Sequence, residues 1–489
     1  MTAHFDPSAE ARLAALAEAA REELAATAFA TRPWVHARHE NGAAMLDVAI
    51  IGGGQSGLFV GHALQRAGVT NIAVLDRSRQ GYEGVWETYA RMHEIRSPKE
   101  VCGGEGGIAS LSVRSWFIAR HGRAAWDAIE RVPRLDWMAW LRWYRSVAAV
   151  PIENGVTVTD IDFDAEGVTL ATLQAGRAGR VRARLAVLAT GMDGGGTWQV
   201  PEIISASLPR ERYDHTSDIV DVRALKGKRI GILGAGAAGF DMAVAALEAG
   251  TARVDMFMRR ESLPMVDLIR DFETAGHLQH APELPDAIKW ELASLLGGLS
   301  QSPAEHHFNK AWSFPNFAMH LGAPWREIRL AGDAIAVTTP RGAHAFDHVF
   351  AATGVRVDMA DRPELAKIAA VAALWRDRFV PPADDPSPGR LNFPYLNRTY
   401  QFQPREAGTA PGIERIFAFN ALGGMSMGGI SQVSISSHKF GIPRLVRGIT
   451  GFLFAEQHAR VLEDMMRPRP PSIAIAPHIR ARLGMPVEA

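Results

Sequence analysis

The sequence predicts an α/β fold with two parallel-sheet domains, the second inserted into the first. Stretches 47–76 and 228–260 each contain an apolar strand, a glycine-rich loop, a helix and a second apolar strand, an order typical of a βαβ unit. An alternating apolar run leads into an Ala-Thr-Gly triplet before the second unit, at 189–191, and again after it, at 352–354. The predicted parts are an N-terminal extension 1–45, the first domain 46–215, the second domain 216–350, and the rest of the first domain with a tail, 351–489.

The N-terminal extension has apolar residues at helical spacing after Asp6 and Pro7, which suit a helix cap and a first helical position. We predict one helix that ends before Pro33 and packs on the main body. A contact between two copies of the chain is the alternative.

The loop of the first unit has the pattern GxGxxG. Glycines in such a loop allow a tight turn, a close approach of backbone N–H groups to a pyrophosphate, and close packing of helix on strand. Asp76 ends the second strand, 19 residues after Gly57, where a carboxylate can bond a ribose hydroxyl. The unit predicts a dinucleotide site, with a purely structural turn as the alternative. Its expected contacts are Gly52, Gly54, Gln55, Ser56, Gly57, Asp76 and Arg77.

Two aromatic segments follow. The loop Gly84-Val85-Trp86 suits contact with a flat ring, or else a surface loop with one buried tryptophan. The stretch from Arg134 to Arg145 predicts a helix with Trp137, Trp140 and Tyr144 on one face. Because aromatic stripes are more often core than cofactor contacts, we assign this one to the core.

The second unit repeats the GxGxxG pattern with Gly234, Gly236 and Gly239, but its second strand ends in arginines. Arg259 and Arg260 begin 20 residues after Gly239. Guanidinium groups bind a 2′-phosphate, which a carboxylate would repel. We therefore predict that NADPH binds here, with a solvated strand end as the alternative.

Two further features concern the surroundings of these sites. A glycine at a strand end allows close approach to a ligand, so both triplets are candidate cofactor contacts. The stretch 261–330 predicts a helical insertion whose histidines lack metal-ligand spacing, so no metal site is assigned. The insertion follows the second unit and could cover an active site. The triplet residues assigned to the cofactors are Thr190, Gly191, Thr353 and Gly354.

Composition narrows the class of function. The formal net charge is zero, which argues against a nucleic-acid or anionic-membrane partner, and no apolar run is long enough to span a bilayer. Cys102 is the only cysteine, so an internal disulfide and a CxxC redox centre are both excluded. We expect a cytoplasmic protein, and a homo-oligomer is left open.

The two predicted sites differ in a way that suggests a reaction. One ends in an acid and the other in arginines, the arrangement expected when FAD stays bound and NADPH visits. Hydride then passes from nicotinamide to flavin. No cysteine pair, iron–sulfur or haem ligand set is visible to accept the electrons, which leaves molecular oxygen.

On these motifs the sequence resembles the class B flavoprotein monooxygenases, over residues 47–429. That group comprises flavin-containing, N-hydroxylating and Baeyer–Villiger monooxygenases. The histidine-centred signature of the group falls at 213–218, with departures at Pro209, Glu211 and Ile219 that indicate a divergent branch. The motifs that carry the resemblance are GGGQSG at 52–57, EGVW at 83–86, GAGAAGFD at 234–241, Arg259-Arg260 and the two Ala-Thr-Gly triplets.

The resemblance implies that NADPH reduces FAD and that oxygen forms a C4a-(hydro)peroxyflavin. That species oxygenates a small nucleophilic substrate, by N-hydroxylation or by N- or S-oxygenation. Arg96 stands where flavin-containing monooxygenases carry an asparagine, and it could steady NADP⁺, a peroxyflavin anion or an anionic substrate. An ion pair with a nearby carboxylate is the equal alternative for Arg96.

Two other functions use the same motifs. An NADPH-dependent flavin oxidase or reductase would release peroxide without inserting oxygen. A non-catalytic protein that senses NADPH would purify without colour.

Overall fold

The computed structural model describes residues 7–29, 34–40, 42–101, 103–299, 302–385, 388–429, 432–470 and 472–486. Asp6, Pro33 and Cys102 lie outside the described residues, so nothing tests the predicted helix cap at Asp6. The N-terminal helix is confirmed at Pro7–Ala26. Its apolar side joins the core of the first domain, as the prediction of intramolecular packing requires.

The first domain is built on a seven-stranded sheet. Five strands are parallel, and the predicted meander after residue 156 adds an antiparallel end. Ile416–Ala418 pairs with Arg177–Leu188, so the chain returns to this sheet after the second domain. The order across the sheet is Ile152–Asn154, Ile72–Asp76, Leu46–Ile51, Arg177–Leu188, Gly167–Gln174 and Val156–Asp164.

The second domain is built on five parallel strands, and one of them corrects the predicted boundary at residue 215. Tyr213–His215 pairs with His348–Ala351 and therefore belongs to the second sheet, not to the first domain. The strand is three residues long, too short for its alternation to be read in advance. The order across the sheet is Tyr213–His215, His348–Ala351, Arg229–Leu233, Arg253–Phe257 and Phe317–His320.

The insertion is helical over a shorter stretch than the predicted 261–330. Phe317–His320 is the edge strand of the second sheet, and Glu327–Ala331 pairs with Ala334–Thr339 in a separate three-stranded sheet completed by Gly342–Phe346. Residues 317–320 are extended because they pair with the strand Arg253–Phe257. Their own composition does not predict a strand.

Two small ribbons complete the strands. His39–Glu40 pairs with Ala43–Ala44. Gly196–Trp198 pairs antiparallel with Val355–Val357, and this ribbon ties together the two connections between the domains.

Fifteen α-helices lie in the described ranges. The first-site helix is Gln55–Arg66 and the second-site helix is Ala237–Glu248; each follows a glycine loop, as predicted. The others are Pro7–Ala26, Val113–His121, Arg123–Ala128, Arg134–Ala148, Glu202–Ser205, Leu268–Phe272, Ala275–His280, Asp286–Leu299, Glu305–Trp312, Ala366–Val371, Ile435–Glu456, His458–Met466 and Pro477–Arg482.

Both faces of the first sheet are covered, which explains the continuous apolar run in its central strand. Val48 and Ile50 face one core cluster, and Ala49 and Ile51 face another. The predicted aromatic stripe is confirmed as core, since Trp137, Trp140 and Tyr144 are buried in the first of these clusters. Within the described residues, no helix combines the length and apolarity that crossing a bilayer would need.

Candidate active site

The first glycine loop is tightly enclosed by backbone. A Cβ on Gly57 would overlap the carbonyl oxygen of Gly52. A Cβ on Gly52, whose φ is +101°, would lie 2.5 Å from the carbonyl oxygen of Ala189. Gly54 faces Gly84, with its Cβ position 3.3 Å from that Cα. These contacts hold the loop against the strand end and leave its N–H groups at the start of the first-site helix.

Asp76 lies directly beneath this loop. It is buried, and its two carboxylate oxygens accept the backbone N–H groups of Gly53 at 2.6 Å and Ser78 at 2.7 Å. Each oxygen keeps a second lone pair, which is what a ribose hydroxyl would use. The neighbouring Arg77 is mostly exposed and forms an ion pair with Asp193.

A cleft of about 620 Å³ opens beside the loop. One wall is formed by Gly53, Gly54 and Gln55, and the other by the helix that carries Arg142 and Arg145. Such a volume suits the adenosine and pyrophosphate part of FAD. Arg142 and Arg145 are each paired with a glutamate of the cleft, Glu87 and Glu83. The glycine loop and the buried Asp76 are therefore the residues that fit this cofactor.

Polar side chains fix the start of the first-site helix from the core side. Gln55 donates to the Val433 carbonyl oxygen at 3.2 Å and accepts from Trp137 Nε1 at 3.2 Å. Ser56 Oγ lies 3.0 Å from Nε2 of the fully buried His438, whose pKa burial lowers to about 3. His438 is therefore neutral, a contact that the sequence did not indicate.

For the loop Gly84-Val85-Trp86 the sequence left two interpretations, contact with a flat ring or a surface loop with one buried tryptophan. Trp86 is buried and its ring packs edge-on against Trp137, with centroids 6.0 Å apart. The glycine of the segment faces the first glycine loop. Trp86 is thus a core residue, and the predicted cofactor contacts of this segment remain predictions.

Each Ala-Thr-Gly triplet lies at a strand end, in the turn that joins the domains. Thr190 Oγ1 accepts from Asn420 Nδ2 at 2.9 Å, and Thr353 Oγ1 donates to the Gln199 carbonyl oxygen. Gly191 and Gly354 have φ values of +66° and +77°. Their predicted cofactor contacts remain predictions, and the structure places both triplets beside the glycine loops.

The second glycine loop is packed as closely as the first at its first glycine and is open at its second: a Cβ on Gly234 would lie 2.3 Å from the Ala352 carbonyl oxygen. A Cβ on Gly239 would lie 2.6 Å from the Gly234 carbonyl oxygen, and a Cβ on Gly236 would meet nothing within 4 Å. Arg259 and Arg260 follow the strand Arg253–Phe257 directly. Within the described ranges, the exposed Arg259 forms no ion pair, so it can take a phosphate group without breaking one.

A buried polar atom without a partner also marks this region. Thr216 Oγ1 is buried and has no hydrogen-bond partner among the described residues, and the buried ring of His215 faces the backbone of Gly354. Thr216 N–H donates to the Ala351 carbonyl oxygen at 3.0 Å, which places both residues beside the second Ala-Thr-Gly triplet. An unsatisfied buried group is costly, so it fits a ligand such as NADPH at this junction.

Arg96 lies between the domains and is paired with a carboxylate. Its Nη2 donates to Asp241 Oδ2 at 2.6 Å, and His307 Nδ1 donates to Asp241 Oδ1 at 2.5 Å. His307 Nε2 accepts from the His93 N–H at 3.3 Å, which places the imidazole proton on Nδ1. Burial raises the pKa of Asp241, but the Arg96 charge and the His307 hydrogen bond outweigh it, and the net pKa is lowered. The ion-pair alternative for Arg96 is thus realised, while its catalytic role stays a prediction.

Sequence reasoning missed Asp241 and His307, although one signal was available. Asp241 is an acid within the second-site helix, which is otherwise apolar up to Glu248, and a buried acid requires a partner. Two more contacts cross the same junction: His93 with Glu248 at 2.9 Å and Glu94 with His306 at 3.3 Å.

The insertion packs on the glycine-rich turn that follows Ile416–Ala418. A Cβ on Gly428 would lie 2.5 Å from Ala281 Cβ, and one on Gly429 would lie 3.0 Å from Ala293 Cα. His277 Nε2 lies 3.2 Å from the Gly428 carbonyl oxygen. The insertion therefore covers the first domain beside the cofactor turns, and this placement can exclude water from a reaction there.

Another group of titratable side chains lies at the edge of the second sheet. Asp255, His320 and His344 have ligand-type atoms within 4.8 Å of one another. Arg253 already bonds both oxygens of Asp255, so we assign this cluster to the structure of the sheet edge.

Comparison with known proteins gives two kinds of match. The model of the pyridine nucleotide-disulphide oxidoreductase family matches residues 49–268. The chain is 40% identical, over 92% of its length and 95% of the other chain, to a FAD-dependent urate hydroxylase from Xanthomonas campestris.

Solved structures share the fold at much lower identity. An ornithine hydroxylase from Pseudomonas aeruginosa has a TM-score of 0.65 at 17% identity, covering 84% of this chain and all of the other. A FAD-bound cadaverine monooxygenase from Erwinia amylovora has a TM-score of 0.64 at 14% identity, covering 83% and 95%. These two matches show a shared fold.

Proposed function

This chain belongs to the class B flavoprotein monooxygenases, in the family of the Xanthomonas urate hydroxylase, and from that premise we propose that it hydroxylates urate with NADPH and molecular oxygen. It is a FAD-dependent monooxygenase, and the substrate is the part that we propose. The observation that carries the proposal is 40% identity over 92% of the chain to an enzyme that acts on urate. The amine hydroxylases match at 14–17% identity, which supports a common fold and no common substrate.

The chemistry of urate suits the reaction class that the sequence predicted. Urate is an electron-rich planar purine that is mainly an anion at neutral pH, and it reacts as a nucleophile through carbon. One oxygen atom of O₂ enters the substrate as a hydroxyl group and the other leaves as water, while NADPH supplies the two electrons. The proposal replaces the predicted nucleophilic atom, nitrogen or sulfur, with a ring carbon.

FAD supplies the hydride acceptor and the activation of oxygen. The first glycine loop and Asp76 hold this cofactor, and the second glycine loop and Arg259 hold NADPH through its 2′-phosphate. Protein acid–base groups have little to do in such a reaction, and the packing of the insertion on Gly428 and Gly429 keeps water out. We assign the reaction to the cytoplasm, as the sequence predicts.

Steady-state coupling tests this proposal. Purified holoenzyme is given NADPH and air with urate, or with L-ornithine, L-lysine or cadaverine, and NADPH loss, product and peroxide are measured together. Urate should accelerate NADPH oxidation at least about tenfold and yield hydroxylated urate with little peroxide, an effect that corresponds to about 1.4 kcal/mol of barrier.

Other outcomes assign other functions. Coupled hydroxylation of an amine, with no response to urate, would replace the proposed substrate and restore N-hydroxylation. Stoichiometric peroxide with every compound would instead favour the flavin oxidase. Colourless protein that binds NADPH without oxidising it would favour a sensor.

A further inference from the structure

Arg96 has a hydrogen-bonding capacity that the protein itself does not use. Its Nη2 is bonded to Asp241, but its Nε is buried and has no hydrogen-bond partner among the described residues. A buried N–H without an acceptor is costly, and native proteins seldom keep one unless a ligand or water uses it.

Two arginines near Arg96 in the structure do have acceptors for their Nε groups. Nε of Arg131 donates to the Arg96 carbonyl oxygen at 3.2 Å, and Nε of Arg134 donates to the Met92 carbonyl oxygen at 2.8 Å. The same loop therefore satisfies two guanidinium groups with its own carbonyl oxygens and leaves the third donor unused.

Asp241 fixes the position of this guanidinium from the other domain. Its carboxylate is 7% exposed, and one oxygen binds Arg96 while the other accepts from His307 of the insertion. Asp241 lies on the first turns of the second-site helix, and Arg96 belongs to the segment that follows the Trp86 loop. Arg96 is thus held where the first domain, the second domain and the insertion meet.

We propose that Arg96, positioned by Asp241, binds the negatively charged face of a purine anion and makes the enzyme select anionic over neutral purines. The inference rests on the proposed hydroxylation of urate and adds the group that recognises its charge. A guanidinium is planar and presents paired N–H donors, which match adjacent oxygen and nitrogen acceptors of an ionised purine. A hydrogen bond to a charged partner is the stronger kind, so the loss of Arg96 should be felt mainly by the anion.

Ligand titration of the oxidised holoenzyme tests the proposal without turnover. Urate, xanthine and NADP⁺ are titrated separately while the flavin absorbance spectrum is followed, with xanthine as a purine of similar shape that is mostly uncharged at slightly acidic pH. Arg96→Gln should weaken urate binding about 10- to 100-fold and change xanthine and NADP⁺ binding less than about threefold.

Three further variants separate positioning from folding. Arg96→Lys keeps the charge and should recover part of the urate affinity. Asp241→Asn should weaken urate binding about three- to tenfold, with KM raised more than kcat falls. Asp347→Asn changes a carboxylate bonded to Arg229 at the opposite end of the second sheet, and it should leave urate binding unchanged.

The outcomes are distinct. Equal loss of urate and xanthine in Arg96→Gln would overturn charge recognition, and selective loss of NADP⁺ would reassign Arg96 to the dinucleotide. If wild-type and Arg96→Gln bind and hydroxylate urate equally, the inference fails and the proposed function stands. If wild-type neither binds nor hydroxylates urate, both fail. Should Arg96→Gln lose FAD, the urate-to-xanthine ratio in Arg96→Lys and Asp241→Asn decides.

Discussion

The two glycine loops share one sequence pattern, and the structure gives them different surroundings. A Cβ on Gly57 would overlap a backbone oxygen, whereas a Cβ on Gly239 would approach one at 2.6 Å. A Cβ on Gly54 would lie 3.3 Å from the Cα of Gly84, whereas a Cβ on Gly236 would meet no atom within 4 Å. The contrast lies at the middle glycine of each loop: the closer packing at Gly54 suits a cofactor that is retained, and the open position at Gly236 suits one that binds and leaves.

The polar side chains near the start of the first-site helix and of the second-site helix also have different partners. Ser56 at the first is bonded to a buried neutral histidine, His438. Asp241 at the second is charged and bonded to Arg96 and His307 of other elements. The first site is therefore built into the core of the first domain, while the second site depends on contacts between the first domain, the second domain and the insertion.

The largest expected difference between the sites concerns the last glycine of each loop. Gly57→Ala should abolish FAD retention, because the new Cβ displaces the Gly52 carbonyl oxygen and overpacking of this kind costs about 1–3 kcal/mol or more. Gly239→Ala should keep the protein yellow and mainly weaken NADPH. The flavin-to-protein absorbance ratio after gel filtration measures the first effect. If Gly57→Ala protein is yellow and binds FAD with normal affinity, the close packing around Gly57 is not what retains FAD.

Charge at the second site gives the next effect. Arg259→Ala should weaken NADPH about 10- to 100-fold and NADH less than about threefold, because one charge-assisted hydrogen bond to the 2′-phosphate is lost. Anaerobic flavin reduction at varied nucleotide concentration measures both affinities. Arg223→Ala removes another exposed arginine of the second domain and serves as the control. Equal losses for the two nucleotides would refute the 2′-phosphate assignment.

The smallest effect is a pH dependence of the first domain. Burial lowers the pKa of His438 to about 3 and that of His62 to about 4, below the value of about 6.5 expected in an unfolded chain. As pH falls below about 6.5 the unfolded chain takes up protons that the folded chain refuses, so stability is lost by up to about 1.4 kcal/mol per pH unit for each histidine.

The pH experiment follows urea-induced release of FAD at about pH 7.5 and about pH 5.5. Wild-type protein should release FAD at lower urea in acid, and His438→Asn should show a smaller difference between the two pH values. His478→Asn, at an exposed position, should behave like wild type. If His438→Asn has the wild-type pH difference, His438 is not the neutral group that the first site depends on.

The repeated units could be predicted because their signals are local. Apolar strands, glycine spacing and the terminal residues Asp76 and Arg259 all lie within about 30 residues of chain, the length of one βαβ unit. Tyr213–His215 and Phe317–His320 could not be predicted, since pairing with a distant strand makes them extended.

The junction between the domains shows the same limit. Arg96 and Asp241 are 145 residues apart, and Asp241 and His307 are 66 apart, so no local pattern connects them. Resemblance to a family drew attention to Arg96, and only the folded chain shows which carboxylate holds it.

The proposed reaction consumes one NADPH, one O₂ and one urate for each hydroxylated urate that forms. Turnover under isotopically labelled dioxygen tests it directly, with NADPH consumed, urate consumed and label in the product counted together. We expect equal amounts of the three and one labelled oxygen atom in each hydroxylated urate. Unlabelled product, or labelled peroxide in proportion to NADPH with urate unchanged, would contradict the account.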